Sequence, residues 1–254
     1  MIIMSDLGMC GKCNNEFLFK NMEAHLKGCY ADDLEKWKSA GDLYVLRVET
    51  KEKDKEPGDK WTASKKTHYW FHMVISKDNL IPEVNQAIRT IWLKCCDDTH
   101  LTDFINGDKT FTNGELKGDD ESWDTEYSNL SRHLYDSVKV HFDSVLTTRL
   151  TITLIQIIKG AKESTPFKIK ILSQNKTPRY QCATCEYCAT DDLSYCIACQ
   201  KIVCPKCLDE HKCFKIKSDY LKLTNDPRTG VACEKLYMYE RGKLATDLYL
   251  TAAT

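Results

Sequence analysis

The sequence predicts an α+β protein: a mixed sheet with helices on one face, flanked by two small zinc-stabilised modules. Three observations predict it. A Cys/His set at metal-ligand spacing lies near the N-terminus, a denser set lies between residues 182 and 213, and the segments between them alternate at strand period or repeat at helical period. The composition shifts place a zinc finger at 1–36, an α+β domain at 40–178, and a Cys-rich module with its tail at 179–254.

The first element is Cys10-x2-Cys13-x11-His25-x3-Cys29. Zinc takes four soft or borderline ligands at tetrahedral angles, and a C-x2-C knuckle supplies two from one tight turn. Gly11 inside the knuckle suits a turn with positive φ. His25 and Cys29 are four residues apart, so a helix puts them on one face, with Phe17 and Met22 as the two core side chains. The segment resembles a zinc finger of the two-cysteine, two-histidine kind, one residue shorter before the histidine and closed by cysteine. DNA-reading fingers usually act in tandem. A single finger whose helix carries no arginine points instead to a structural or protein-contacting role.

Next, Asp42 to Glu49 alternates apolar and polar residues and reads as a strand, and 51–60 is a balanced charge run read as a solvated loop. Thr67 to Ser76 is a second strand, with His68, Trp70 and His72 on one face and Tyr69, Phe71 and Met73 on the other. From Leu80 to Cys96 apolar residues recur at three- and four-residue steps, with Pro82 suited to a first helical turn. A short strand near Thr102 to Phe104, an acidic loop over 117–126, a helix from Leu130 to Val138, and strands at Val140 to Phe142 and Thr147 to Ile158 complete the domain. From Lys159 to Arg179 six basic residues face one acid, Glu163; this stretch reads as a solvated strand pair and linker, or as a stripe for phosphate.

The last constellation is Cys182-x2-Cys185-x10-Cys196-x2-Cys199-x4-Cys204-x2-Cys207-x3-His211-x-Cys213, with Cys188 as a ninth candidate for eight places. Alternate pairs organise two metals: Cys182 and Cys185 with Cys204 and Cys207, and Cys196 and Cys199 with His211 and Cys213. Cys188 is the alternative to Cys182. The spacing resembles B-box and related cross-braced zinc modules, which mostly bind proteins. About three zinc ions per chain follow, in closed sets that leave no position for a reacting water.

Several motifs in the middle domain carry a second resemblance. Tyr69-Trp70-Phe71-His72, Ile91-Trp92-Leu93-Lys94-Cys95-Cys96, His100-Leu101-Thr102-Asp103-Phe104 and Asn225-Asp226-Pro227-Arg228-Thr229-Gly230-Val231-Ala232-Cys233 resemble the plasmid open-reading-frame-three-like family, whose members also travel as passengers of insertion elements. His141 to Thr148 matches a further family motif loosely and lacks its glycine. The resemblance implies an α+β fold and a mobile-element setting, and it brings no catalytic residue.

Composition narrows the function. A formal net charge of −1 gives no global attraction to nucleic acid or anionic membrane. No apolar run reaches the ~20 residues of a membrane helix, and no basic leader precedes one, so the fourteen cysteines are expected as reduced thiols in the cytoplasm. Phosphate-loop, G-x-S-x-G and H-E-x-x-H motifs are absent, and the arginines are scattered. Cys95, Cys96 and His100 are the one thiol–imidazole group outside the zinc sets; buried thiols at a helix end explain them without catalysis. The expected function is a non-catalytic zinc-binding adaptor for a protein partner, the alternative a nucleic-acid-binding accessory factor, and a thiol enzyme a distant third.

Overall fold

The computed structural model describes residues 2–3, 6–50, 68–92, 102–106, 109–112, 134, 138–142, 148–161, 166–177, 179–186, 188–189, 193–196, 198–199, 201–213 and 220–223. In chain order the elements begin with β1 (Ile2–Ile3), β2 (Leu7–Cys10) and β3 (Glu16–Leu18), then α1 (Phe19–Cys29) and α2 (Ala31–Trp37). A 3-10 turn over Lys38–Ala40 leads into β4 (Leu43–Thr50) and β5 (Trp70–Ser76), followed by α3 (Ile81–Ile91). Then come β6 (Thr102–Asn106), β7 (Lys109–Thr112), β8 (Val138–Phe142), β9 (Thr148–Ile158) and β10 (Lys170–Asn175). The last are β11 (Arg179–Gln181), β12 (Cys188–Ala189), β13 (Ser194–Cys196), β14 (Lys201–Val203), α4 (Pro205–Leu208) and β15 (Tyr220–Lys222).

Nine strands form the central sheet in the order β3-β2-β10-β5-β4-β9-β8-β6-β7. Every pairing among them is antiparallel, where a mixed sheet is expected from the sequence. At the centre, β4 pairs antiparallel on both sides, with β5 from Leu43↔Ser76 to Glu49↔Trp70 and with β9 from Leu43↔Ile158 to Thr50↔Leu150.

Helices cover both faces, which corrects the one-face expectation. Leu46, Val48, Phe71, Met73 and Ile75 pack with Val84, Ala87, Ile88 and Ile91 of α3. The alternate residues Val45, Trp70 and Val74 pack with Met22 and Leu26 of α1 and Leu34 of α2. Every residue of β5 is buried, the mark of a strand covered on both sides. The two-face division of β5 follows its period of two.

The expected helix from Leu80 begins at Ile81, where Glu83 accepts a 2.7 Å hydrogen bond from the Leu80 N–H. Its expected end, residues 93–96, lies outside the described residues, as do most of 130–138; Val138 itself opens β8. The basic stretch is the largest departure. Its residues 170–175 form β10, an interior strand between β2 and β5 with Ile171 to Asn175 all buried. The finger hairpin β2–β3 is thereby continuous with the central sheet. Among the described residues no helix is long and apolar enough to cross a membrane.

Candidate metal centres

In the first cluster the ligand atoms of Cys10, Cys13, His25 and Cys29 lie within 4.8 Å of one another. The turn after β2 is closed by Asn14 N–H to Cys10 O at 3.0 Å and Cys10 N–H to Asn15 O at 3.0 Å. The residue with positive φ in this knuckle is Asn14, at 58°, rather than Gly11. Gly11 sits at a close approach instead. A Cβ there would meet Leu172 O and the Tyr30 hydroxyl at 3.2 Å, because Gly11 N–H donates to Leu172 O at 2.8 Å. A register shift in β10 between Ile171 and Ser173 leaves Leu172 to the knuckle, and its carbonyl also accepts from Tyr30 Oη at 3.2 Å. Met22 on α1 is fully buried, and Phe17 on β3 stacks on the His25 ring at 3.8 Å, as two finger-core side chains do.

The other two clusters interleave. Cys182, Cys185, Cys204 and Cys207 form one; Cys196, Cys199, His211 and Cys213 form the other, each within 4.8 Å. Cys182 and Cys185 precede the β13–β14 hairpin, Cys196 and Cys199 lie at the end of β13 and in the turn, and Cys204 and Cys207 follow β14, with Cys207 on α4; the hairpin register is Ser194↔Val203 to Cys196↔Lys201. A small core of Tyr180, Leu193, Tyr195, Ile202, Val203 and Leu223 supports them. The side chain of Cys188 lies outside the described residues, as do Cys95, Cys96, His100 and Cys233.

The spacings within each cluster fit a tetrahedral centre. With a zinc–sulfur bond of ~2.3 Å, tetrahedron edges are roughly 3.8 Å. Cys10 and Cys29 sulfurs are 3.8 Å apart, Cys185 and Cys204 sulfurs 3.6 Å, Cys13 Sγ and His25 Nε2 3.4 Å, and Cys199 Sγ and His211 Nε2 3.2 Å. Bonded sulfurs would stand ~2.05 Å apart. The described cysteines of the clusters are all free thiols.

Electrostatics point the same way. Burial pushes the Cys182 thiol up, but backbone N–H groups of Cys185, Cys204 and Thr184 outweigh it and bring it down to about 6. In the same cluster the Cys185 sulfur, burial and the Cys204 and Cys182 sulfurs drive Cys207 up to about 12. Burial and the Cys10 sulfur likewise raise Cys29 to about 11, and burial and Cys196 raise Cys199 to about 11. Each set favours a first thiolate and resists the next one. A divalent cation among four such ligands removes that conflict. Burial lowers the pKa of His25, keeping it in the neutral form that ligates.

No protein-family profile and no curated protein matches the chain. A solved structure with some likeness is a protein of unknown function from Methanosarcina mazei Go1, 13% identical, with 53% of this chain and 69% of that one covered at a TM-score of 0.33. A likeness that slight defines no shared fold.

Proposed function

We propose that the chain is a non-catalytic zinc protein, held together by three structural zinc ions and acting as a protein–protein adaptor. The observation that carries the reading is the completeness of the three sets: each supplies four Cys or His ligand atoms within 4.8 Å. Four protein ligands fill a tetrahedral zinc and leave no site for substrate or water, so the ions stabilise rather than react. Twelve residues hold them: Cys10, Cys13, His25 and Cys29; Cys182, Cys185, Cys204 and Cys207; Cys196, Cys199, His211 and Cys213. Thiolate ligands belong to a reducing compartment, hence the cytoplasm. Metal analysis of protein purified without added zinc tests this directly, with about three zincs per chain expected. One zinc or none would overturn it.

The nucleic-acid alternative rests on the basic stretch, and three of its six charges are engaged within the chain. Lys159 pairs with Asp42 at 2.9 Å, Lys176 pairs with Glu16, and the Lys170 ammonium lies over Trp37 at 5.4 Å. That favours the adaptor. Binding to single- and double-stranded DNA is expected to be weak at low salt and flat with salt. A steep fall of affinity with salt, the mark of released counterions, would favour the alternative. A mobile-element setting is the part of the proposal that rests on the motif resemblance, whose Tyr69 to His72 segment enters β5.

A further inference from the structure

The three clusters differ in chemistry and in how much sulfur they show to solvent. Cys182, Cys185, Cys204 and Cys207 form a set of sulfur alone, where each of the others includes a histidine. Among the described cysteines Cys185 is the exposed one, while Cys182 and Cys204 of the same set are almost fully buried. The knuckle explains the contrast. Its near end is pinned to β14, because Ala183 N–H donates to Ile202 O at 2.8 Å. Its far end turns outward through Glu186, at a φ of 60°, whose N–H closes the turn on Cys182 O at 3.0 Å.

The four sulfurs are therefore not equivalent. Cys182 Sγ accepts from the Thr184 and Cys204 N–H groups, each at 3.4 Å, and these donors and its burial shield it from a reagent in solution. Cys185 has no such cover, and its sulfur lies 3.6 Å from Cys204 Sγ. A shift of about 1.5 Å brings two such sulfurs to bonding distance.

We propose that this cluster is a peroxide-sensitive modification site, in which Cys185 is oxidised first and Cys204 closes a disulfide on it. The proposal rests on the zinc reading of the same set and adds its regulation. As a ligand, Cys185 is a thiolate. It attacks one oxygen of hydrogen peroxide, the O–O bond breaks, hydroxide leaves, and the sulfur becomes a sulfenic acid. The Cys204 thiolate then displaces a second hydroxide from that sulfur and forms the S–S bond. Two electrons pass from the two sulfurs to the peroxide, and two protons from solvent turn both hydroxides into water. Cys182 and Cys207 remain, too few ligands to close a tetrahedral zinc. Cys182 and Cys204 also belong to the small core with Tyr180, Leu193 and Ile202, so loss of the ion loosens the C-terminal module.

The test uses the full chain loaded with zinc. Zinc is counted first; hydrogen peroxide is then added in steps, a metal-binding dye follows release, and mass spectrometry of non-reduced digests maps disulfides. The expected first event is loss of one zinc of about three together with a Cys185–Cys204 disulfide, both reversed by a dithiol and added zinc. Loss of all the zinc at once, a first disulfide without Cys185, or no release would each overturn the proposal. A count of one zinc or none before oxidation overturns the zinc reading with it; a full count followed by any of those results overturns this proposal alone. Cys185→His keeps four ligands but removes the exposed sulfur, so release from this cluster should slow to the pace of the other two. Release as fast as in the parent would refute it, and if the variant fails to hold its zinc the parent's disulfide map still decides.

Discussion

Gly8 sits on β2 against the indole of Trp70, a fully buried ring on the neighbouring face. An added Cβ would fall 2.1 Å from Trp70 Cη2, 2.5 Å from Cζ2 and 2.8 Å from the Gln174 carbonyl oxygen. Carbon atoms rest roughly 3.5–4.0 Å apart, so a single methyl intrudes by well over an ångström. Neither neighbour can yield easily. Gln174 O is backbone in β10, which pairs with β2 through Gln174↔Met9 and Asn175↔Gly8. Trp70 is rigid and packed among Leu172, Val74 and Cys10. Overpacking of this kind costs about 1–3 kcal/mol, and with no slack on either side Gly8→Ala belongs near 3. For a chain of this size that is a drop of about 6–12 °C in Tm. Gly28→Ala is the control: on α1, with nothing within 4 Å of its Cβ, it should gain up to about 1 kcal/mol from helix propensity alone. Urea melts of both variants in zinc-containing buffer, followed by tryptophan fluorescence, measure the two. A Gly8→Ala variant within 0.5 kcal/mol of the parent would refute the packing argument.

Three further predictions follow from separate contacts. Gly160→Ala should be more damaging still, failing to give a cooperative melt near the parent Tm, because its Cβ would lie 1.9 Å from the backbone oxygen of Gly41. The Asp42 carboxyl, held below 3.8 by Lys159 and the Gly160 N–H, should titrate with a midpoint under that value by carbon NMR. Its stabilisation is complete above its unfolded pKa and is lost as pH falls through the lower folded one, so the parent and Asp42→Asn should converge in stability below about pH 3.8; a gap that widens in acid would contradict this. The Tyr69 and Tyr180 hydroxyls meet at 2.9 Å in the interior, tying the central sheet to the C-terminal module. Each Tyr→Phe change should cost about 1–2 kcal/mol and the pair less than the sum, while additivity in a double-mutant cycle would deny the coupling.

The sequence by itself picked out the three Cys/His clusters that the structure brings within 4.8 Å, because their spacing is a local demand: a C-x2-C turn or an x3 helical step places two such side chains together wherever the chain goes. The joining of Cys182/Cys185 with Cys204/Cys207, interleaved with Cys196/Cys199 and His211/Cys213, is likewise what alternation of pairs predicts. The strands 43–50 and 70–76 and the helix 81–91 were legible from their periods. Only the tertiary structure decided the place of β10. Its Ser173, Gln174 and Asn175 look solvated in sequence, yet all are buried, Ser173 against His72 and Asn175 accepting the Trp70 N–H through its side-chain oxygen. Periodicity reads hydrophobicity, and these positions are filled by polar groups whose partners lie about a hundred residues away. The same blindness hid the second helical face: the apolar residues of β5 on both sides of its alternation, broken only by His72 and Ser76, carried that signal, but which helix lies on which side is settled by packing between segments distant in the chain.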